Sequence, residues 1–530
     1  MTILLIPFMF SDFQNEFNSN QLYPSFGFNT ILFENDFKGI FPELFLVLTI
    51  LLLLVYGVIL STSKEEKYPL LIGNIGWFGL LGIFLTLVLL IKNPLSHGLI
   101  FYNTLIIDQE TQFFKIVALV GAFFSILISL DYMKKEGLNG FEIIILTLLS
   151  TSSILFLISS ADFLSMYLAI EFQSLCFYVM AGSKRDSEFS TEAGLKYFLL
   201  GAFSSGLLLF GCSLIYGFTG ITNFTELGKL FTPGGQEVVT GLYSLRGCEL
   251  GMIFILVGLL FKLTAVPFHM WAPDVYEGAP TSITAFFSIT PKISILAVFI
   301  RVFLEGFYDL MIDWQTILIF SALASMILGA VAALSQNKIK RLLAYSSIGH
   351  VGYLLAGLCC GTIEGIQGLL IYLVVYVLMT INIFGIILFP LRREFINSVQ
   401  RIKYTTDLGM MAKTNPVLAF TLTVSIFSIA GIPPLAGFYS KAFLFFAALS
   451  SNLYLLAVIG VLTSVVSCFY YIRVVKIMYF ENPKNWLSFS QIPKESALVV
   501  GVSFFFILFF VFYPSPLYLA THKVALALSL

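Results

Sequence analysis

The sequence predicts an all-α, polytopic membrane protein of about fourteen transmembrane helices, two of them broken. Three observations carry that prediction. Of the 530 residues, 58% are hydrophobic and only 11% charged, with a mean hydropathy of +0.94. Soluble domains carry about 25% charged residues. Apolar runs of about 18 or more residues recur from residue 40 to residue 519, each long enough to cross a hydrocarbon core as a helix. Prolines interrupt two of these runs, at Pro267 and at Pro433 and Pro434. A proline there removes a backbone donor and clashes with the preceding turn, so the helix breaks.

The spans run roughly 40–61, 69–91, 112–131, 140–159, 161–181, 194–216, 250–270, 281–304, 314–335, 341–360, 366–389, 416–449, 452–472 and 496–519. Short polar connectors separate most of them. Two are longer, a Gly-rich loop at 217–249 and a basic one at 390–415. Orientation follows from the positive charges, which accumulate on the inner side of a membrane. Taken in alternation, the connectors place 18 Lys and Arg on the side reached after the first span and six on the other, both termini included. Both ends therefore face outward, and the connector after the first span faces the cytoplasm or matrix.

Five basic residues fall within spans, and these focus the search for function. Lys262 lies near the end of LGMIFILVGLLFKLTAVPF, five residues before Pro267, with His269 directly beyond. A lysine at bilayer depth costs about 3 kcal/mol or more. Freed backbone carbonyls are tolerated there only against protein or water. A buried cation, a break and an imidazole within eight residues point to a site that handles protons or ions. The bland alternative is a lysine snorkelling from a helix end. Glu171 is the only charge in FLSMYLAIEFQSLCFYVMAG, Lys292 the only one in TSITAFFSITPKISILAVFI, and Lys441 the only one from Pro416 to Ile472. His350 is central in LLAYSSIGHVGYLLAG. One such residue is readily a structural ion pair; four on four spans make a titratable row across the membrane plane. Burial brings lysine and glutamate nearer to the range in which protons exchange. Lys196 lies only about a turn inside its span, after Glu192, and relay and snorkelling fit it equally. His350 fits either a relay or a satisfied packing histidine. Glu171 and Lys262 are cheaper to bury together than apart, which predicts that they act as a pair. The broken spans are the seventh and twelfth, and a separation of five predicts a repeat inverted across the membrane.

Other chemistries find little support. Net charge is -1, with no basic surface for nucleic acid. The cysteines 176, 212, 248, 359, 360 and 468 are scattered, without CxxC or His/Cys spacing. No metal, flavin, nucleotide or quinone motif appears. The first basic residue is Lys38, so the N-terminus reads as neither a secretory signal nor an Arg-rich transit peptide. The 56 phenylalanines read as AT-rich coding, which expects synthesis inside an organelle or in a bacterium.

Four segments carry a resemblance: YLAIEFQSLCFYVMAGSKRDSEFSTEAGLKYFLLGAFSSGLLLFG, FKLTAVPFHMWAPDVYEGAP, KRLLAYSSIGHVGY and GIPPLAGFYSK. Over about residues 40 to 480 the chain resembles the antiporter-like subunits of respiratory complex I, in the subunit 2 family of mitochondrial NADH dehydrogenases, plant and algal type. The resemblance implies inverted five-helix repeats at 139–304 and 305–480. Three N-terminal helices (40–138) precede them, behind an N-terminal extension (1–39), and a C-terminal connector with the last helix (481–530) follows. It implies proton translocation driven by NADH oxidation and ubiquinone reduction elsewhere in the complex. The chain would hold no cofactor, and NADH, FMN, iron–sulfur clusters and ubiquinone would belong to other subunits. The family's glutamate falls on Glu171 and its lysines on Lys196, Lys262, Lys292 and Lys441. Its expected partners are other membrane-arm subunits, neighbouring antiporter-like subunits among them, with membrane lipids and protons, in the mitochondrial or bacterial inner membrane. The residues alone leave two rivals, a freestanding cation/proton antiporter and a scaffold whose charges only pair internally.

Overall fold

The structure is a computed structural model that describes residues 29–62, 71–93, 98–136, 140–232, 242–388, 391–392, 399–400, 402–481, 488–489 and 492–528. Most of the N-terminal extension, residues 233–241 of the FTPGGQEVVTGL stretch and part of the basic loop lie outside them. Nineteen α-helices run through the described residues. They are α1 (Asn29–Ser61), α2 (Ile72–Ile91), α3 (Gln109–Glu136), α4 (Glu142–Ser159), α5 (Phe163–Ala181), α6 (Glu188–Thr219), α7 (Phe224–Phe231), α8 (Leu242–Leu263), α9 (Trp271–Gly278), α10 (Thr281–Arg301), α11 (Met311–Leu334), α12 (Ile339–Cys359), α13 (Ile363–Ile387), α14 (Met411–Thr414), α15 (Pro416–Ala430), α16 (Ala436–Ser450), α17 (Tyr454–Phe480), α18 (Lys494–Phe509) and α19 (Ser515–Ala527). Strands are few and short: an antiparallel hairpin of Gly98–Ile100 with Leu105–Ile107, and Leu391–Arg392 between Val399–Gln400 and Ser488–Phe489.

Among the described residues, eleven helices are long and apolar enough to cross a membrane. The other three predicted spans fall on α8, on α15 with α16, and on α18. Their boundaries needed correction, each for a local reason. The seventh span ends at Leu263, where Thr264 takes a left-handed φ of 68°, and the chain becomes helical again only at Trp271. The twelfth splits into α15 and α16 around Gly431, at φ 91°, and the two prolines. The last span stops at Phe509, and Pro514 and Pro516 begin the separate helix α19. The loop predicted over 217–249 is shorter than its composition suggested. Helix α6 runs on to Thr219, and the Asn223 side chain caps α7 by accepting from the Thr225 and Glu226 amides.

Helices α4, α5, α6, α8–α9 and α10 form one set of five, and α11, α12, α13, α15–α16 and α17 a second. In each set the fourth member is broken. Every residue of α10 is buried, and so is nearly every residue of α13, which packs against it. Helices buried on all sides stand in the middle of the bundle. By contrast α1 turns Leu48, Leu51, Leu52 and Ile59 outward at the rim. Close helix pairs depend on missing side chains. A Cβ on Gly329 of α11 would stand 2.6 Å from the Gly349 amide nitrogen of α12, so only glycine admits that approach.

Candidate functional site

The second broken helix creates its own cation seat. The final carbonyls of α15 have no partner within the helix and carry the negative end of its dipole. Lys441, reaching back from α16, donates to the Ile429 and Ala430 carbonyls at 2.9 and 3.1 Å. Its Nζ also stands 5.0 Å from the centre of the Tyr353 ring, within range of a cation–π contact. Gly431 keeps the seat open, since a Cβ there would lie 3.2 Å from Lys441 Cδ.

Lys292 sits at the centre of the bundle, on α10. Its Nζ donates to the Tyr376 hydroxyl of α13 at 2.9 Å and lies 5.0 Å from the centre of that ring. No carboxylate lies within 4.0 Å of it among the described residues. One turn earlier on α13, Tyr372 places its hydroxyl 2.6 Å from His350 Nδ1, and Tyr471 of α17 stands 3.2 Å from Nε2. The buried imidazole is therefore held at both nitrogens by phenols. Which nitrogen carries the proton depends on which phenol donates.

Lys262 lies in the last turn of α8 with its Nζ buried and unpartnered. Glu171, on α5, keeps a buried Oε1 that is also unpartnered. No ion pair joins the two among the described residues. A small cavity with room for about one water molecule lies beside Lys262, lined by Tyr197, Thr264, Trp271, Tyr276 and Lys292. His269 is buried in the break, its Nδ1 without a partner. The structure therefore gathers Lys262 and Lys292 at one cavity and His350 with Lys441 around one group of tyrosines.

A family model described as NADH:quinone oxidoreductase/Mrp antiporter, TM, matches residues 160–467, which include Glu171, Lys262, Lys292, His350 and Lys441. The chain belongs to that family. It is 60% identical to NADH-ubiquinone oxidoreductase chain 2 of Marchantia polymorpha, over 94% of this chain and all of that one. It is 43% identical to NADH-quinone oxidoreductase subunit N of Parvibaculum lavamentivorans, over 94% and 99% of the two chains. A chain of respiratory complex I from Thermus thermophilus, solved with bound aureothin, superposes with a TM-score of 0.73 at 28% identity, over 89% of this chain and 97% of that one. This NADH:quinone oxidoreductase/Mrp antiporter family member is accordingly a multi-pass inner-membrane protein of the mitochondrial type and part of a multi-subunit assembly.

Within this family member, Lys196 stands apart from the buried groups. Its side chain is 40% exposed and bonds Glu192 at 2.6 Å and Asp274 at 3.1 Å. Asp274 also meets Arg341 at 3.4 Å, while Glu277 pairs with Lys338 and Arg341. Lys340 adds a bond to the Ala279 carbonyl at 2.7 Å. These contacts tie α9, from the first set of helices, to the start of α12 in the second.

Two buried ion pairs escaped sequence reasoning. Lys115 of α3 meets Glu43 of α1 at 2.5 Å. Arg301, at the end of α10, meets Glu110 at 2.8 Å and also donates to the Ile158 carbonyl. Lys115 was visible as a lysine inside a span, but Glu43 and Glu110 sit near span ends, where charges are common. The tyrosines were missed too; Tyr372 and Tyr376, four apart in a span whose centre is otherwise aliphatic, were the available signal. Among the described residues no group of His, Cys, Asp and Glu is arranged to hold a metal ion.

Proposed function

We propose that this chain is the proton-translocating, antiporter-like subunit of the membrane arm of NADH:ubiquinone oxidoreductase (respiratory complex I). Protons move along Glu171, Lys262, Lys292, His350 and Lys441. The observation that carries this reading is the set of buried lysines without counter-ions, placed between two broken helices. A scaffold would have no reason to keep them unpaired, because an uncompensated buried charge costs several kcal/mol.

Each group has a role that its surroundings support. Glu171 and Lys262 form a gate that closes when they pair and opens when they separate. Lys292 passes the proton from the first five-helix repeat (139–304) to the second (305–480). Lys441, seated on helix carbonyls instead of a carboxylate, releases its proton toward the outer side or a neighbouring subunit. His269 lies beside the first gate, and Lys196 acts at the edge of the path. The chain supplies no redox centre. NADH, FMN, iron–sulfur clusters and ubiquinone are held by other subunits, and the energy arrives through contacts with membrane-arm partners, antiporter-like neighbours among them.

The test is substitution in the assembled complex. Glu171→Gln, Lys262→Met, Lys292→Met and Lys441→Met are each expected to leave assembly intact and to depress coupled NADH–quinone turnover and proton pumping. The Glu171→Gln/Lys262→Met double variant is expected to lose much less than the sum of its singles, since either change disables the same gate. Variants that assemble and pump at the native rate would refute the reading.

A further inference from the structure

Taking the lysine row as the proton path, we propose that the Tyr376 hydroxyl carries the proton between Lys292 and a small cavity next to His350. Tyr376 is the only hydrogen-bond partner of Lys292 Nζ among the described residues, at 2.9 Å. Its oxygen also lies 3.4 Å from the Ser288 carbonyl. Ser288 and Tyr376 together line a small cavity with room for about one water molecule, along with Ser346, Ser347, Thr380 and His350. Ile429, whose carbonyl holds Lys441, lines the same cavity. One space therefore touches the partner of Lys292, the partner of Lys441 and the histidine between them.

The chemistry of a phenol makes this arrangement directional. Its oxygen carries one proton and can also accept. When Lys292 is neutral, the amine lone pair accepts from the phenol. When Lys292 is charged, Nζ–H donates to the phenolic oxygen, and the phenol's own proton turns to Ser288 O. That is the cavity side. Transfer then balances simply. A lysine N–H bond breaks as a new phenolic O–H bond forms, and the old O–H bond gives its proton to a water molecule in the cavity. Lys292 is left neutral, the tyrosine is chemically unchanged, and rotation of the hydroxyl resets it. Tyr376 acts on the travelling proton itself, whereas Tyr372 and Tyr471 hold the imidazole.

Tyr376→Phe isolates the hydroxyl, because the ring stays in place over Nζ. In the whole complex it is expected to lower coupled NADH–quinone turnover by about tenfold or more, with the quinone KM unchanged. Combined with Lys292→Met, it should cost nothing beyond Lys292→Met alone. Tyr376→Gln offers the lysine an acceptor but no relayed proton, and should lose as much. Tyr132→Phe removes a buried phenol that lines neither cavity and bonds Thr281 Oγ1 at 3.2 Å, and should keep turnover. Equal losses from both Phe variants, additive losses in the double variant, or recovery with Gln would each overturn the proposal. Native turnover in Lys292→Met would overturn the lysine path along with it. Loss in Lys292→Met beside native turnover in Tyr376→Phe would remove the tyrosine alone.

Discussion

At the residue scale, the buried charges divide into those that are answered and those that are not. Glu43–Lys115 and Glu110–Arg301 are answered by direct contact, while Lys262 and Lys292 have no carboxylate in contact. Breaking an answered pair leaves a stranded charge, which costs about 3–5 kcal/mol, whereas replacing both partners by apolar residues can be nearly neutral. Lys115→Met is therefore expected to lower the thermal stability of the membrane arm clearly, and Glu43→Leu with Lys115→Met to recover most of it. A melting curve of the purified complex decides this, and equal loss in the single and double variants would contradict it. The sequence made the lone charges legible because each stands out against an apolar span. It could not tell answered from unanswered, because the partner of each lies on a different helix, 72 residues away for Lys115 and 191 for Arg301.

At the scale of the element, the half-helices are the unit of function. Both breaks could be read from proline, since the cost of proline inside a helix is local and independent of the fold. Their exact course could not. Thr264 and Gly431 adopt left-handed backbone at the breaks, and nothing in Thr264 as a residue type announces that. Gly431→Ala places a side chain in a conformation that disfavours it, at a cost of about 1–3 kcal/mol, and sets a methyl 3.2 Å from the Lys441 stem. Its expected outcome is an assembled complex with reduced stability and with a turnover defect that does not add to that of Lys441→Met. An additive defect would separate the glycine from the lysine seat. Proline alone was an unreliable guide elsewhere: Pro291 sits inside α10, and the helix continues through it.

At the scale of the whole molecule, the composition already dictated a bundle, and the charge asymmetry dictated its orientation. Thr406→Cys, in the basic connector, and Asp309→Cys, before α11, are both at exposed positions. In sealed vesicles they are expected to react with an impermeant thiol reagent from opposite sides. The six native cysteines are mostly buried and give little background. Labelling from one side would break the fourteen-span arrangement. What composition could not foretell is which helices take the centre. α10 does so while carrying Ser and Thr residues, Lys292 and Arg301, whereas α1, with its run of apolar residues, lies at the rim. Packing partners, not hydropathy, decide between the two fates.

Glu171 occupies an edge of this bundle. Leu168 and Leu175, three positions before it and four after, are 60% and 55% exposed, and the carboxylate lies only partly covered between them. Such a group belongs to two environments at once, the interior on one side and whatever packs against α5 on the other. Whatever packs over Leu168 and Leu175 therefore completes the wall around Glu171, and the surroundings of this one carboxylate are divided between the chain that carries it and the layer outside.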